Sequence, residues 1–222
     1  MQRFLNSILI GILATSTVAG QTNDSTSTVR PGFLPTGIRV GVDLISLIRS
    51  QTDDSFSGYE VYADADFAHY YLAIEAGRWE RNFITDEEHY VNGGNYFRVG
   101  IDVNFLRKNA GKNMFFFGMR YGRSRYSEYL TIINDPVWGA VDVNYSNTDI
   151  HASWGELTTG LRVKMLKFFW MGYTARFKFG LNTNEASELI SYDVPGYGKA
   201  GNETTWGFNY QLLFRIPIRK HR

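Results

Sequence analysis

Between Phe168 and Leu181 the chain reads FFWMGYTARFKFGL. Taken by twos, Phe169, Met171, Tyr173, Ala175, Phe177, Phe179 and Leu181 form an unbroken apolar set, while Trp170, Gly172, Thr174, Arg176, Lys178 and Gly180 carry two full charges. A β-strand sends successive side chains to opposite faces, so one face here is wholly apolar and the other needs charged or polar partners. A helix, turning about 100° per residue, would set Arg176 and Lys178 beside Phe177 and Phe179. The segment is therefore predicted to be a strand.

The same period of two recurs along the chain. It begins with Ile38, Val40, Val42 and Leu44 set against Arg39, Gly41 and Asp43. Ile45, Leu47 and Ile48 then break parity, which predicts a bulge or a turned-over end, followed by a polar loop from Arg49 to Ser55. A second strand runs from Ser57 to Phe67 and a third from Tyr70 to Trp79, with only Ala68 and His69 between them, as in a tight hairpin. The fourth sets Phe97, Val99, Ile101, Val103 and Phe105 against Arg98, Gly100, Asp102 and Asn104. A fifth runs from Phe115 to Gly122, a sixth from Trp154 to Met165, and an eighth from Gly207 to Ile218 after the segment just described. The connections Asn82 to Asn95, Tyr126 to His151 and Asn182 to Thr205 are long, whereas those at 68–69, 106–112 and 166–167 are short. Val141, Val143 and Tyr145 still alternate, so the longest connection is expected to be strand at its edges.

Eight strands joined alternately by long and short connections match the layout of an antiparallel up-and-down transmembrane β-barrel, with both termini on the periplasmic side of an outer membrane. The polar parity agrees with this. It carries Asp43, Glu60, Asp64, Asp66, Glu75, Asp102 and Glu156 against Arg39, Arg98, Arg120, Arg162, Lys164, Arg176, Lys178 and Arg215. An unpaired charge in a dry lumen costs on the order of several kcal/mol, so near-equality of sign predicts an ion-pair network. A barrel of eight strands has an interior that side chains can fill, so the lumen should be plugged and closed to flow. A soluble, lipocalin-like barrel would instead place the apolar parity inside, where its crowded Phe and Tyr exceed the volume of a small lumen.

Composition narrows the class without deciding it. Sixteen Phe, 14 Tyr and 22 Gly suit a chain whose strands face lipid on one side. The absence of cysteine excludes disulfides and Cys-ligated zinc. With 23 basic and 22 acidic residues there is no bias toward nucleic acid. The start, MQRFLNSILIGILATSTVAGQ, combines Arg3, a short apolar run and Val18-Ala19-Gly20, the pattern of a cleavable signal peptide over residues 1–20. Residues 21–36, rich in Ser and Thr with Pro31 and Pro35, are expected to be a flexible periplasmic lead-in to a barrel spanning 37–218. Residues 219–222, RKHR, form a basic tail suited to inner-leaflet phosphates.

The stretches GIRVGVDL (37–44), YLAIEAG (71–77), FRVGIDVNF (97–105), FFGMRYG (116–122) and VPGYGK (194–199) resemble a small outer-membrane barrel family of Bacteroidota that is a domain of unknown function. The resemblance implies fold and location and carries no activity with it. TWGFNYQL (205–212) is similar to the C-terminal signal read by barrel-assembly machinery.

Candidate chemistry is sparse. His69 sits in a turn and His221 at the end of the chain. His89, beside Asp86, Glu87 and Glu88, and His151, after Asp149, are the residues from which a loop-borne metal or acyl-transfer centre would be built, with Ser124, Ser127 or Ser153 as nucleophile. Acidic loops are more often simply solvated, and no Gly-x-Ser-x-Gly elbow surrounds these serines. No cofactor, metal or catalytic site is expected. A sharper feature lies on the lipid-facing parity, where Arg78, Arg123 and Arg125 follow the apolar runs of the third and fifth strands at the depth of lipopolysaccharide phosphates. The expected role is structural or interactive. The expected partners are outer-membrane lipid, lipopolysaccharide and a larger outer-membrane complex, with an enzyme or a narrow channel as the alternatives.

Overall fold

The structure, a computed structural model, describes residues 35–67, 69–106, 113–133, 142–183 and 191–218. The expected signal peptide, the lead-in as far as residue 34 and the basic tail at 219–222 lie outside the described residues. Eight strands close into one antiparallel barrel: β1 (Gly37–Asp43), β2 (Phe56–Phe67), β3 (Tyr70–Ile84), β4 (Glu88–Asn104), β5 (Met114–Ile132), β6 (Val143–Lys164), β7 (Phe169–Asn182) and β10 (Thr204–Pro217). Each pairs with its sequence neighbour, and β1 closes the ring against β10, with Gly37 opposite Pro217 and Asp43 opposite Gln211. A two-stranded hairpin, β8 (Asp193–Val194) with β9 (Gly198–Lys199), interrupts the connection between β7 and β10.

The alternation read from the sequence is the alternation of the wall. On β4, Phe97, Val99 and Ile101 are exposed on the outer face while Arg98, Asp102 and Asn104 are buried in the lumen. The same holds on β2, where Tyr59 and Val61 face out and Glu60, Tyr62 and Asp64 face in. A closed ring satisfies every ladder hydrogen bond internally, the condition for strands to cross a bilayer. An outward apolar run such as Phe97 to Phe105 has the length of one tilted crossing, about 9–11 residues. The fold is a transmembrane β-barrel. Among the described residues no helix is long and apolar enough to cross a membrane.

Three expectations are corrected. Residues 44–52 form no bulge and no polar loop but a helix, α1 (Leu44–Thr52). Asp43 caps it, its Oδ2 accepting from the Ser46 amide at 3.0 Å and from the Ser46 hydroxyl at 2.6 Å, which satisfies amide donors left over at a helix start. Ile45, Leu47 and Ile48 therefore follow helical spacing, and strand parity ends with Asp43. Second, most of the long "loop" from Asn82 to Asn95 is strand: β3 continues to Ile84 and β4 begins at Glu88. The longest connection is strand at its edges, as expected: β5 runs on to Ile132 and β6 starts at Val143, with a register shift between Tyr126 and Glu128. Four long strands, β3 to β6, thus raise one side of the barrel well beyond the other at the end opposite the termini, called here the far end. Third, Thr36, expected to be flexible, is tied to the wall: its amide and hydroxyl donate to Asp66 Oδ1 at 2.6 and 2.7 Å.

Candidate functional site

Register brings the lumen charges together. Glu75 lies opposite Arg98, Arg120 opposite Glu156, Glu156 opposite Lys178, and Arg39 opposite Asp64. In the middle tier Arg98 Nη1 reaches Glu60 at 2.8 Å and Glu75 at 2.7 Å, while its Nε lies 3.0 Å from Glu156. Arg176 bridges Glu75 at 2.8 Å and Glu156 at 2.9 Å. Arg120 pairs with Glu75 and, at 2.8 Å, with Asp102. The remaining carboxylate lone pairs are filled by neutral donors: the Tyr96 hydroxyl on Glu60 and the Trp154 indole on Glu156, both at 2.7 Å. Each carboxylate is therefore bound to more than one cation or donor, which is what makes so many buried charges tolerable.

Nearer the termini, Arg39 makes a two-pronged pair with Asp64 at 2.8 Å through each prong, and the Tyr62 hydroxyl donates to the same carboxylate at 2.6 Å. Arg162 lies over the Tyr62 ring at 4.3 Å, donates to Gln211 at 3.2 Å and stands 3.8 Å from Asp102. Asp66 pairs with Arg215 at 2.7 Å. Large side chains need room, and lumen-facing glycines supply it: a Cβ on Gly122 would stand 2.3 Å from the Trp154 ring.

Of the residues expected in this network, Arg39, Glu60, Asp64, Glu75, Arg98, Asp102, Arg120, Glu156, Arg162 and Arg176 are buried in it. Asp43 is also buried, but its carboxylate is the cap of α1 and accepts from the Tyr210 amide at 2.9 Å. Lys178 is buried, and its Nζ donates to the backbone carbonyls of Gly196 and Tyr197 at 2.8 and 3.0 Å. Lys164 is exposed at the end of β6.

Those carbonyls belong to a stopper that sequence reasoning placed in an outward loop. Residues 191–203 fold back into the far mouth, where Val194, Tyr197 and Ala200 pack in one buried cluster with Tyr96, Tyr126, Ile150, Ala152 and Trp154. Gly196 adopts φ +83 and lies so close to Tyr96 that a Cβ would meet its ring at 2.6 Å. Arg81 pairs with Asp193 at 2.7 Å, and the Asn92 side chain donates to the Asp193 carbonyl at 2.8 Å. Burial holds the Asp193 carboxyl above the usual carboxylate range, against the opposing pull of Arg81. Above it the Tyr90 hydroxyl and the Ser191 hydroxyl donate to Glu128 at 2.9 and 2.8 Å. The signal present in the sequence was VPGYGK itself, a tight glycine turn carrying two apolar residues. A crevice of about 320 Å³ remains between α1 and the stopper, lined by Arg49, Arg81, Asp193 and Lys199 among others.

On the outer wall, Arg78, Asn95, Arg125 and His151 stand opposite one another in sequence across β3, β4, β5 and β6. Arg123, one pleat closer to the termini on β5, lies between Phe97 and Ser153. All three arginines are exposed. Arg78 is 3.6 Å from Glu80, and Arg125 pairs with Asp149, whose left-handed backbone, φ 63, sits in the irregular stretch of β6. His151 lies 3.4 Å from the same Asp149, whereas His89 bonds the Asn82 side chain on the β3–β4 extension, so the structure does not assemble the two histidines into one centre. Among the described residues no three His, Cys, Asp or Glu side chains gather as a metal site.

The chain is similar to solved structures at low sequence identity. The N-terminal β-barrel domain of Pseudomonas aeruginosa OprF matches at 11% identity and TM-score 0.43, covering 82% of this chain and 98% of that one. Ail, the attachment invasion locus protein of Yersinia pestis, matches at 8% identity and TM-score 0.43, covering 81% and 97%. Neisserial surface protein A matches at 8% identity and TM-score 0.39, covering 82% and 94%. No curated protein matches the chain. The sequence profile of the Domain of unknown function (DUF6048) family matches residues 1–221, and the chain belongs to that family.

Proposed function

We propose that this protein is an outer-membrane barrel with a structural or interaction role, closed to solute flow, that meets another envelope component through its wall and far-end loops. The observation that carries this reading is the filled lumen. Three glutamates and three arginines interlock across the middle of the barrel, and the stopper at 191–203 is pinned above them by Arg98 and Lys178. A barrel so filled presents its chemistry outward. The proposed contacts are Arg78, Arg123 and Arg125 toward lipopolysaccharide phosphates, with the raised β3–β6 wall available to a larger outer-membrane complex. Exported by a cleaved signal peptide, the chain would carry its termini on the periplasmic side and its far end outside the cell.

The test is twofold. The protein should fractionate with outer membranes, and after reconstitution in planar bilayers it should give no ionic current above the bare membrane. Stepwise conductance would replace this reading with a channel.

A further inference from the structure

The exposed side chains of β5 fall in one line down the outer wall: Arg125, Arg123, Tyr121, Met119, Phe117. Beside the lower part of that line the wall is dented. Ala175 and Thr159 stand side by side between the larger Phe208 and Phe117, and the dent opens into a groove of about 720 Å³ lined almost wholly by apolar atoms. Met119, Leu157 and Phe177 form its upper edge in a single cross-strand row. From Arg123 to Met119 is four residues, about 13 Å along a strand. With strands tilted by about 40° this is roughly 10 Å of depth, so the groove opens within the hydrocarbon of one leaflet, about 15 Å, beneath the headgroups that the cations would meet. Cations at the headgroup level stand directly over an acyl-sized apolar groove.

The spread of the cations selects among lipids. Arg123 and Arg125 are two residues apart on one strand, about 7 Å, and Arg78 lies two strands from Arg125, about 10 Å. A glycerophospholipid offers one phosphate, which covers one of these positions. The diglucosamine headgroup of lipid A carries a phosphate at each end and can meet both. Among the described residues no carboxylate pairs with Arg123, while Glu80 and Asp149 are exposed partners of the kind a phosphate displaces at little cost. Guanidinium forks suit phosphate oxygens through paired hydrogen bonds.

We infer that the β4–β7 face binds one molecule of lipid A, with its phosphates on Arg123, Arg125 and Arg78 and one acyl chain in the groove over Ala175 and Thr159. This rests on the outer-membrane reading above and names the lipid and the place. The barrel wall is prepared for the lipid at both ends: charge above, a gap in the apolar surface below.

Native mass spectrometry of the full-length mature protein in detergent, titrated with purified lipid A or with phosphatidylglycerol, tests the site. The wild type should retain one lipid A per chain in preference to phosphatidylglycerol. Replacing Arg123 and Arg125 together by Gln should weaken retention by about tenfold or more, since each lost fork removes a charge-assisted contact. Ala175→Phe, which fills the groove and leaves every arginine in place, should weaken it comparably. Ala63→Phe, in the separate dent lined by Val40, Val61 and Leu212, should leave retention unchanged. Unboiled samples of each variant should migrate as folded barrels on gels. Equal retention of the two lipids, variants that bind as the wild type does, or a lipid-free dimer with the groove covered by a second copy would each overturn the inference. Absence of the wild type from outer membranes would instead defeat the reading beneath it.

Discussion

Nη2 of Arg98 donates to the carbonyl oxygen of Gly196 at 3.0 Å, so a side chain from the centre of the lumen holds the stopper at its mouth. The same guanidinium grips Glu60 and Glu75 through Nη1. Network and stopper are thus one mechanical unit, and the turn that offers the carbonyl depends on a glycine. A side chain at Gly196 would be strained by φ +83 and would strike the Tyr96 ring. Gly196→Ala is expected to unseat residues 191–203, seen as faster protease cleavage in that segment while the barrel itself remains resistant.

Glu75 is the acid on which the middle tier converges, accepting from Arg98, Arg120 and Arg176. Glu75→Ala leaves three cations short of a partner in a buried setting, a loss of about 3–5 kcal/mol by the measure of broken buried ion pairs. Urea unfolding from lipid vesicles, followed by tryptophan fluorescence, should show the midpoint drop. Glu75→Gln, which keeps the acceptor oxygen, should lose less.

Asp43 ends β1 on the charged parity, yet its carboxylate serves as the N-cap of α1. Asp43→Ala should cost about 1–2 kcal/mol through loss of the cap. The tie to the Tyr210 amide would go as well. Asp43→Asn should recover most of the loss, because the cap needs an acceptor and no charge. The same unfolding measurement separates the two variants, and an ion-pair role would make them equally damaging.

The outward face makes a depth-dependent prediction. Leu157 shares its cross-strand row with Ile101, in the middle of the apolar run on β4, while Leu166 lies beyond the end of β6. Leu157→Arg should cost about 2–4 kcal/mol and Leu166→Arg about 0–1 kcal/mol when folding is measured into bilayers. Equal costs would mean that this wall does not face lipid.

How much of this was legible in the chain follows from contrast. Wherever one strand face met lipid and the other the lumen, as at Phe97 to Phe105 or Phe169 to Leu181, the difference between neighbours was large and the parity could be read. Beyond the membrane both faces of β3 to β6 are polar or mixed, as at Asn92, Gly93, Ser127 and Glu128, so the alternation fades although the hydrogen-bonded ladder continues. The helix at Leu44 was hidden by its shortness, since nine residues hold too few turns to reveal a period. Its one signal was Asp43 three places before Ser46. The stopper was hidden for another reason: its turn chemistry was plain, but whether a turn points to solvent or into a mouth is set by residues far along the chain, here Asn92, Arg98 and Lys178. The arginine row, by contrast, was visible residue by residue, while the alignment of Arg78 with Arg125 required register.

β1, with seven residues, is the shortest of the eight wall strands, and it forms its seam with β10 from the opposite end of the polypeptide. Pairing Gly37 with Pro217 closes a loop of nearly the whole wall, whereas every other seam joins sequence neighbours. Such a junction carries the largest loop-closure entropy among the wall seams and can zip only once β10 has been made. Until that seam closes, β1 and β10 each keep an unpaired edge, so the sealing of one short junction separates an open, edge-exposed sheet from a finished barrel.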